Sequence, residues 1–413
     1  MHQFELTHEF LSRLEELVDA GNKEQVQEML QDLHPADIAE ILEELNNERA
    51  QFVFLLLDNE KGSDVLAEID EEERFPVEAR EGLAEMGMMG VYFPEEYGGA
   101  GMSYLTYIGV AEKLAEYCAT TSIMMMASES LCAWPIFQYG TEEQKQKFLA
   151  PLCSGEKLGA FALTEPSAGT DAAMQKTVAV DKGDHWLING SKIFITNAQY
   201  ADIFVFFAMT DKEKGTKGIS AFIVEKGTPG FEVSGHEKKM GIRGSSTSEL
   251  IFNDCKIPKE NLLGQLGKGF MIAMTTLDGG RVGVAAQAVG IAQGAINDAL
   301  AYVKERVQFG KPIWKFQNTQ FQLADMQAKV DAARLLLYRA AQAKQDGEPY
   351  SHLAAMAKLV CAETASDVTR RCVQLAGGYG YSRDYPFERH MRDAKITEIY
   401  EGTSEVQRMV ISG

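Results

Sequence analysis

The sequence predicts an α+β multidomain protein: a helical N-terminal domain, a middle β domain of barrel or sandwich type, and a C-terminal four-helix bundle. Three observations carry this. Apolar residues recur at helical spacing through the first 150 positions. Short β-prone runs bounded by Gly, Asn and Asp occupy 155–262. From Gly267 onward, four long stretches place apolar residues at i, i+3, i+4 and i+7, with glycine-bearing breaks between them.

Taken in order, residues 1–74 read as short acidic helices. Phe10, Leu11, Leu14 and Leu17 share one helix face, and Gly21 is a stop. Pro35 suits the first turn of a second helix, 36–45, with the stripe Ile38, Ile41, Leu42 and Leu45. A third helix is expected over 48–57. Residues 75–150 are helical again, broken by a glycine-rich turn at 95–102 and followed by the methionine-rich stretch 122–127. In the β region, Asn189-Gly190 divides two β-prone runs and predicts a hairpin. The bundle helices are expected over 285–307, 317–345, 351–375 and 396–410.

Composition narrows the classes of function. The 413 residues suffice for two to four domains, and 45% of them are hydrophobic, enough for a large core. No apolar run, 52–57 included, approaches the roughly 18 residues of a membrane span. The first residues, from Met1 to Leu6, lack the basic-then-apolar pattern of a secretory leader. Six scattered cysteines without a Cys-x-x-Cys pair point to reduced thiols in a cytoplasm, not to a disulfide frame or zinc site. With neither His-Glu-x-x-His nor an EF-hand loop, no metal is expected. Of the formal charge of −20, residues 1–74 carry −16, so that segment has little to offer nucleic acid.

Several segments can carry chemistry. Glu401 stands between Tyr400 and Gly402, where a carboxylate can act as a base in an apolar pocket and the glycine opens the backbone to a ligand. The stretch from Phe161 to Asp171 combines hydroxyls, small residues and a proline-fixed turn, suited to a flat ligand and its oxygens. Phe194 and Thr196 are two apart on a strand and share a face. Asp278 reads as a helix cap, with Arg281 free to hold a phosphate or an adenine substituent. Arg306 and Phe309 offer a second cation beside an aromatic ring. Read singly, each is also an ordinary strand, cap or helix surface.

Their order is not ordinary. From about Ile69 to the end the chain resembles the acyl-CoA dehydrogenases, most closely the short-chain (butyryl-CoA) members. The motifs are Tyr97-Gly98-Gly99-Ala100-Gly101, Leu163-Thr164-Glu165-Pro166, Phe194-Ile195-Thr196-Asn197, Met240-Gly241-Ile242-Arg243, Leu277-Asp278-Gly279-Gly280-Arg281, Gln374-Leu375-Ala376-Gly377-Gly378, Met391-Arg392-Asp393-Ala394-Lys395 and Ile399-Tyr400-Glu401-Gly402-Thr403-Ser404-Glu405. The resemblance implies FAD as cofactor, a homotetramer and Glu401 as the base. It implies that Phe161, Leu163, Thr164, Thr170, Phe194, Ile195 and Thr196 bind the isoalloxazine, with Thr196 hydrogen-bonding flavin N5. Arg306, Phe309, Gln317, Gln374, Leu375, Gly377 and Gly378 would hold the ADP half, typically of a neighbouring subunit's flavin, and Thr403 and Glu405 would touch flavin just after the base. Thr170, Asp278, Arg281 and Gly402 would contact the acyl-CoA. The implied reaction removes an α-proton to Glu401 and a β-hydride to flavin, giving a trans-2-enoyl-CoA and passing electrons to an electron-transferring flavoprotein. Some relatives carry the base on the helix that contains position 280, which is glycine here.

Residues 1–66 do not match that family. The run from His34 to Leu45 resembles the cytosolic N domain of bacterial magnesium transporters. The two resemblances meet between Val65 and Arg74, giving expected domains 1–66, 67–154, 155–264 and 265–413. Met124 to Met126 stand as core or as a flexible wall of the acyl pocket. Two further readings stay open at this point: an acyl-CoA oxidase that uses O2, and a non-catalytic fusion in which only acidic, Mg2+-responsive helices act.

Overall fold

The computed structural model describes residue 4 and residues 6–413; the other residues of the leader reading lie outside that range. The chain opens with α1 (His8–Asp19), α2 (Lys23–Leu30), α3 (Pro35–Glu44), α4 (Asn47–Leu55) and α5 (Asn59–Glu71). Each starts at a residue whose side chain accepts a hydrogen bond from the first turn: Thr7, Asn22, His34, Asn46 and Asp58. Gly21 ends α1 in the left-handed region at φ 66°. Three helices were expected here and five form. The shortest, α2, buries only Val26 and Leu30, too sparse a stripe to show a period.

Leu14, Leu17, Leu30, Ile38, Ile41, Leu42, Val53, Val65 and Ile69 enclose a core belonging to these helices. The division expected at 66/67 therefore falls inside α5. The last turn of α5 faces the rest of the molecule. Asp70 accepts from the Gly244 N–H at 2.8 Å, and Glu71 pairs with Arg243 at 2.7 Å and with Arg392.

Next come α6 (Val77–Glu85), α7 (Tyr104–Tyr117), α8 (Ala119–Met126), α9 (Trp134–Tyr139), α10 (Glu142–Gln144) and α11 (Ala150–Cys153). Every residue of α8 is buried, which bears out the core reading of the methionines. Between α8 and α9 the chain widens into a π-helical segment, Ala127–Ala133, a feature frequent at functional sites.

The middle domain comprises β1 (Gly159–Ala162), β2 (Val178–Asp181), β3 (His185–Thr196), β4 (Ile203–Met209), β5 (Ile219–Glu225), β6 (Phe231–Ser234), β7 (Thr247–Pro258) and β8 (Leu262–Leu263). The sheet order is β6-β7-β3-β2-β4-β5-β8, with β1 parallel to β4. Two strands separate β4 from β7, which on a flat sheet would leave about 14 Å between them. Yet the rings of Phe206 and Phe252 are 4.7 Å apart. The sheet therefore closes over its own core, as the barrel or sandwich expectation requires. The hairpin expected at Asn189-Gly190 does not form: β3 runs straight through both residues. A Cβ on Gly190 would lie 2.5 Å from the Thr177 hydroxyl, and Asn189 instead bonds Asp254, so the pair marks a close approach and a register shift rather than a turn. The chain reverses one turn earlier, where the Lys182 N–H donates to His185 O.

The C-terminal part holds α12 (Gly269–Glu305), a small hairpin of β9 (Val307–Gln308) and β10 (Lys311–Pro312), α13 (Gln317–Gln345), α14 (Ser351–Ala376), α15 (Gly378–Tyr381), α16 (Phe387–Ile396) and α17 (Ser404–Ser412). Two expectations change. The first bundle helix starts at Gly269, so Asp278 is not a cap but lies in the third turn of a 37-residue helix. The last expected helix, 396–410, is two helices with a break at 397–403. Thr397 back-bonds to Ala394 O, Glu401 and Gly402 take φ of 54° and 95°, and Thr403 caps α17. Local turn chemistry overrides the apolar period there.

Candidate active site

Glu401 sits at the centre of that break. Its left-handed backbone is uncommon for a non-glycine residue and costs free energy that the surroundings must offset. The turn is clamped from two sides. The Gly402 carbonyl accepts from Lys358 Nζ and from Gln407 Nε2, both at 2.7 Å, and Gln407 also reaches Glu401 O at 3.3 Å. Tyr400 ties the other flank to Gln287 on α12.

The carboxylate so placed is poised rather than satisfied. Glu401 Oε2 is buried and accepts no hydrogen bond from the described residues. Burial pushes the carboxyl up to about 7, against the opposing pull of Lys358 and Arg281. Its neighbour is a bare stretch of α12. A Cβ on Gly280 would lie 2.0 Å from Glu401 Oε2 and 2.8 Å from Leu131 Cδ2. Positions 280 and 401 thus address the same point in space. One turn on, a Cβ at Gly283 would lie 3.1 Å from Met126 Sδ. Small residues on α12 leave room between that helix, the π-helical segment and the base.

Asp278 and Arg281 form an ion pair at 2.6 Å, and Ser351 adds a hydrogen bond to Asp278 at 3.0 Å. Arg281 is only 6% exposed, so its guanidinium is not open to a phosphate as expected; it is a buried cation that acts on the Glu401 carboxylate. Lys344, absent from the sequence reading, brings an amine over Gly279, with the Tyr104 and Trp134 ring centroids at 4.1 and 5.1 Å. Burial lowers that amine to about 7. Glu129, fully buried in the π-helical segment, was also missed; it accepts from the Val91 N–H at 3.2 Å. Burial holds its carboxyl well above the usual range.

The segments expected to hold a flat cofactor lie on the edge of the β domain. Phe194 sits at a register shift of β3 with φ 59°, and its ring is 60% exposed. The bulge, not plain alternation, aims it outward. Thr164, Thr196 and Phe161 are partly exposed and Thr170 is exposed, whereas Leu163 and Ile195 turn their side chains into cores and leave only backbone for a ligand. Asn197, just after Thr196, donates to Met124 O at 2.9 Å, which ties this edge to α8 and so to the wall facing Glu401. Thr403 is spent as a cap, and Glu405 is exposed on the first turn of α17. Some distance along the bundle, a cavity of about 1310 Å³ is lined by Arg306, Phe309, Gln374, Leu375, Gly377 and Gly378. Gln317 is not part of that lining, although its neighbours Phe316 and Asn318 are.

Three family models match in succession: the acyl-CoA dehydrogenase N-terminal domain over 57–156, the middle domain over 160–255 and the C-terminal domain over 267–413. The chain belongs to the acyl-CoA dehydrogenase family. A fourth model, the MgtE intracellular N domain, matches 33–76 and overlaps the first along α5. The short-chain specific acyl-CoA dehydrogenase of Clostridium acetobutylicum is 60% identical over 344 residues, covering 83% of this chain and 91% of that protein. The solved butyryl-CoA dehydrogenase of Megasphaera elsdenii superposes with a TM-score of 0.84 at 49% identity, over 100% of this chain and 99% of that one. A chain from a study of the electron transferring flavoprotein of Acidaminococcus fermentans reaches a TM-score of 0.83 at 50% identity, covering 99% of this chain and 98% of that one.

Acyl-CoA dehydrogenases bind FAD, and the residues here fit it. An outward aromatic and a partly exposed hydroxyl stand at the β edge, and a large cavity with a cation and a paired-glycine turn lies on the bundle. In this acyl-CoA dehydrogenase no helix is long and apolar enough to cross a membrane among the described residues.

Proposed function

We propose that the protein desaturates short-chain acyl-CoA thioesters between Cα and Cβ, with Glu401 as the base. The observation that carries this is the buried, unpartnered Glu401 Oε2 facing Gly280, on a carboxyl raised to about 7. A carboxylate in water is too weak a base for an α-proton of a thioester; one raised by burial is matched to neutral pH. No hydrogen bond among the described residues engages the Glu401 N–H, which leaves it to stabilise a developing enolate oxygen. Closure of α12, the π-helical segment and Tyr400 around the carboxylate excludes water, which strengthens both effects.

When bound, FAD supplies the acceptor for the β-hydride. Phe161, Leu163, Thr164, Thr170, Phe194, Ile195 and Thr196 would hold its ring system, the two apolar residues by their backbone. Arg306, Phe309, Gln317, Gln374, Leu375, Gly377 and Gly378 would hold an ADP half, and Thr403 and Glu405 would border the ring. Thr170, Asp278 and Gly402 would contact the acyl-CoA, with Arg281 acting behind Asp278. Domain limits near 155 and 265 belong to the same reading, which the family models over 57–156, 160–255 and 267–413 support. A short acyl chain agrees with the close approach of Met126 to Gly283 on α12 and with the bonded pair Tyr400–Gln287 beside Glu401. An electron-transferring flavoprotein as acceptor, a homotetramer and a cytoplasmic location complete the reading; the six free cysteines agree with the last.

The test is Glu401→Gln. The variant should keep flavin but lose flavin bleaching by butyryl-CoA, by at least about 10³-fold. Bleaching at the native rate removes Glu401 from the role.

A further inference from the structure

Lys358 lies on α14 with a side chain that is wholly buried. A lone buried ammonium is costly unless something in the fold needs it. Its one hydrogen bond among the described residues goes to the Gly402 carbonyl at 2.7 Å, the peptide immediately after the base. It makes no direct ion pair with Glu401. It grips instead the backbone whose φ of 54° and 95° aims the carboxylate at Gly280.

We propose that Lys358 is a positioning residue for the base: its buried amine locks the left-handed Glu401–Gly402 turn and places a positive charge beside the carboxylate of Glu401. This rests on the reading of Glu401 as the base. The groups around the pair are few. Arg281 reaches Glu401 from α12, Tyr104 and Tyr107 face it from α7, and Tyr400 precedes it. Lys358 faces Glu401 first, then Arg281, Glu398 and Glu405. Burial depresses the amine to about 8, with Glu401 the leading charge that holds it up. Reciprocally, Lys358 is the leading charge that holds the carboxyl down. Arg281 is already paired with Asp278, whereas Lys358 has no carboxylate partner among the described residues.

The experiment compares Lys358→Met, which removes both charge and donor, with Lys358→Gln, which keeps a donor, in the FAD-loaded enzyme. In both, the acid limb of the kcat/KM profile should move up by about one to two pH units. The high-pH plateau of kcat should fall roughly tenfold or more in Lys358→Met and less in Lys358→Gln, because only the latter can still hold Gly402 O. A limb that stays at the native pH in a folded, flavin-loaded variant overturns the proposal, since a merely structural lysine would change melting temperature without moving the limb. Should both variants fail to load flavin, the reciprocal measurement decides. In Glu401→Gln, which preserves shape, the Lys358 amine followed by nitrogen-15 NMR should titrate about one unit lower than in the native enzyme. An unchanged amine overturns the coupling. Native activity in Glu401→Gln would instead defeat the base reading, so the two failures are distinct.

Discussion

Gly280→Ala is the sharpest probe of the site, because it should help the helix and harm the chemistry. Gly280 has ordinary helical backbone within α12, and alanine there gains about 1 kcal/mol of helix propensity. The added methyl meets Glu401 Oε2 at 2.0 Å and Leu131 Cδ2 at 2.8 Å. Ordinary contact begins near 3.4 Å, so the carboxylate must retreat by about 1.4 Å and the leucine by about 0.6 Å. Overpacking of that size costs about 1–3 kcal/mol, which largely offsets the propensity gain and leaves the melting temperature within a few degrees of native. A base displaced by more than 1 Å loses on the order of 10²-fold in rate, or about 2.7 kcal/mol of barrier. Anaerobic stopped-flow bleaching of the flavin by butyryl-CoA reads the rate, and a thermal melt with flavin content reads the fold. Gly283→Ala is the control, since its nearest neighbour is the flexible tip of Met126 at 3.1 Å. A Gly280→Ala enzyme that bleaches within about twofold of native would refute the placement of the carboxylate against α12.

Three other outcomes are expected. With Glu401 raised to about 7, kcat/KM should fall about tenfold per pH unit below that value; a limb near pH 4–5 would contradict the buried base. Asp393 accepts from the Ile242 N–H at 2.6 Å, and burial together with Asp70 raises it to about 7, above the unfolded value near 3.9, with Arg389 and Arg392 opposing. Its neutral form is the favoured one in the fold. The stability it contributes is therefore complete below about pH 4 and lost as pH rises through about 7. Asp393→Asn keeps the acceptor, so its melting temperature should gain on the native protein progressively between pH 5 and pH 8; a constant difference argues against a raised carboxyl. Removal of residues 1–66 cuts α5 and strips the partners of Ile69, each lost core contact costing about 2–5 kcal/mol. The truncated chain should lose its cooperative melt, and a native-like melt would show that the array is dispensable.

The α-β-α order and the enclosed setting of Glu401 were legible because they rest on long periods and on a motif with a glycine beside it. What escaped the sequence was set by contacts between segments distant in the chain. Asn189-Gly190 has the composition of a hairpin, but Thr177 crowds the glycine and Asp254 takes the asparagine. Asp278 has the look of a cap beside two helix-breaking glycines, yet α12 runs through all three, and the space beside Gly279 and Gly280 belongs to Lys344 and Glu401. Lys358 and Lys344 sit on helical stripes like any solvated lysine, and nothing local says that they are buried. The apolar period through 396–410 runs straight across the break that creates the active site. There the left-handed turn at Glu401 was signalled only by Gly402.

The helix α5 has a consequence for how this protein could be rebuilt. Its inner turns supply Val65, Leu66 and Ile69 to the acidic array, and its final turn supplies Asp70 and Glu71 to Gly244, Arg243 and Arg392. The two sets of demands interleave along a single rod, since Ser63, before Val65, donates to the Tyr117 carbonyl at 3.3 Å. Upstream of that rod α4 also meets the body: Gln51 donates to Glu85 at 2.9 Å, and a Cβ on Gly82 would lie 3.2 Å from Leu55. The array is thus seated on the catalytic body along α4 as well as α5, and a replacement head would have to match both helices.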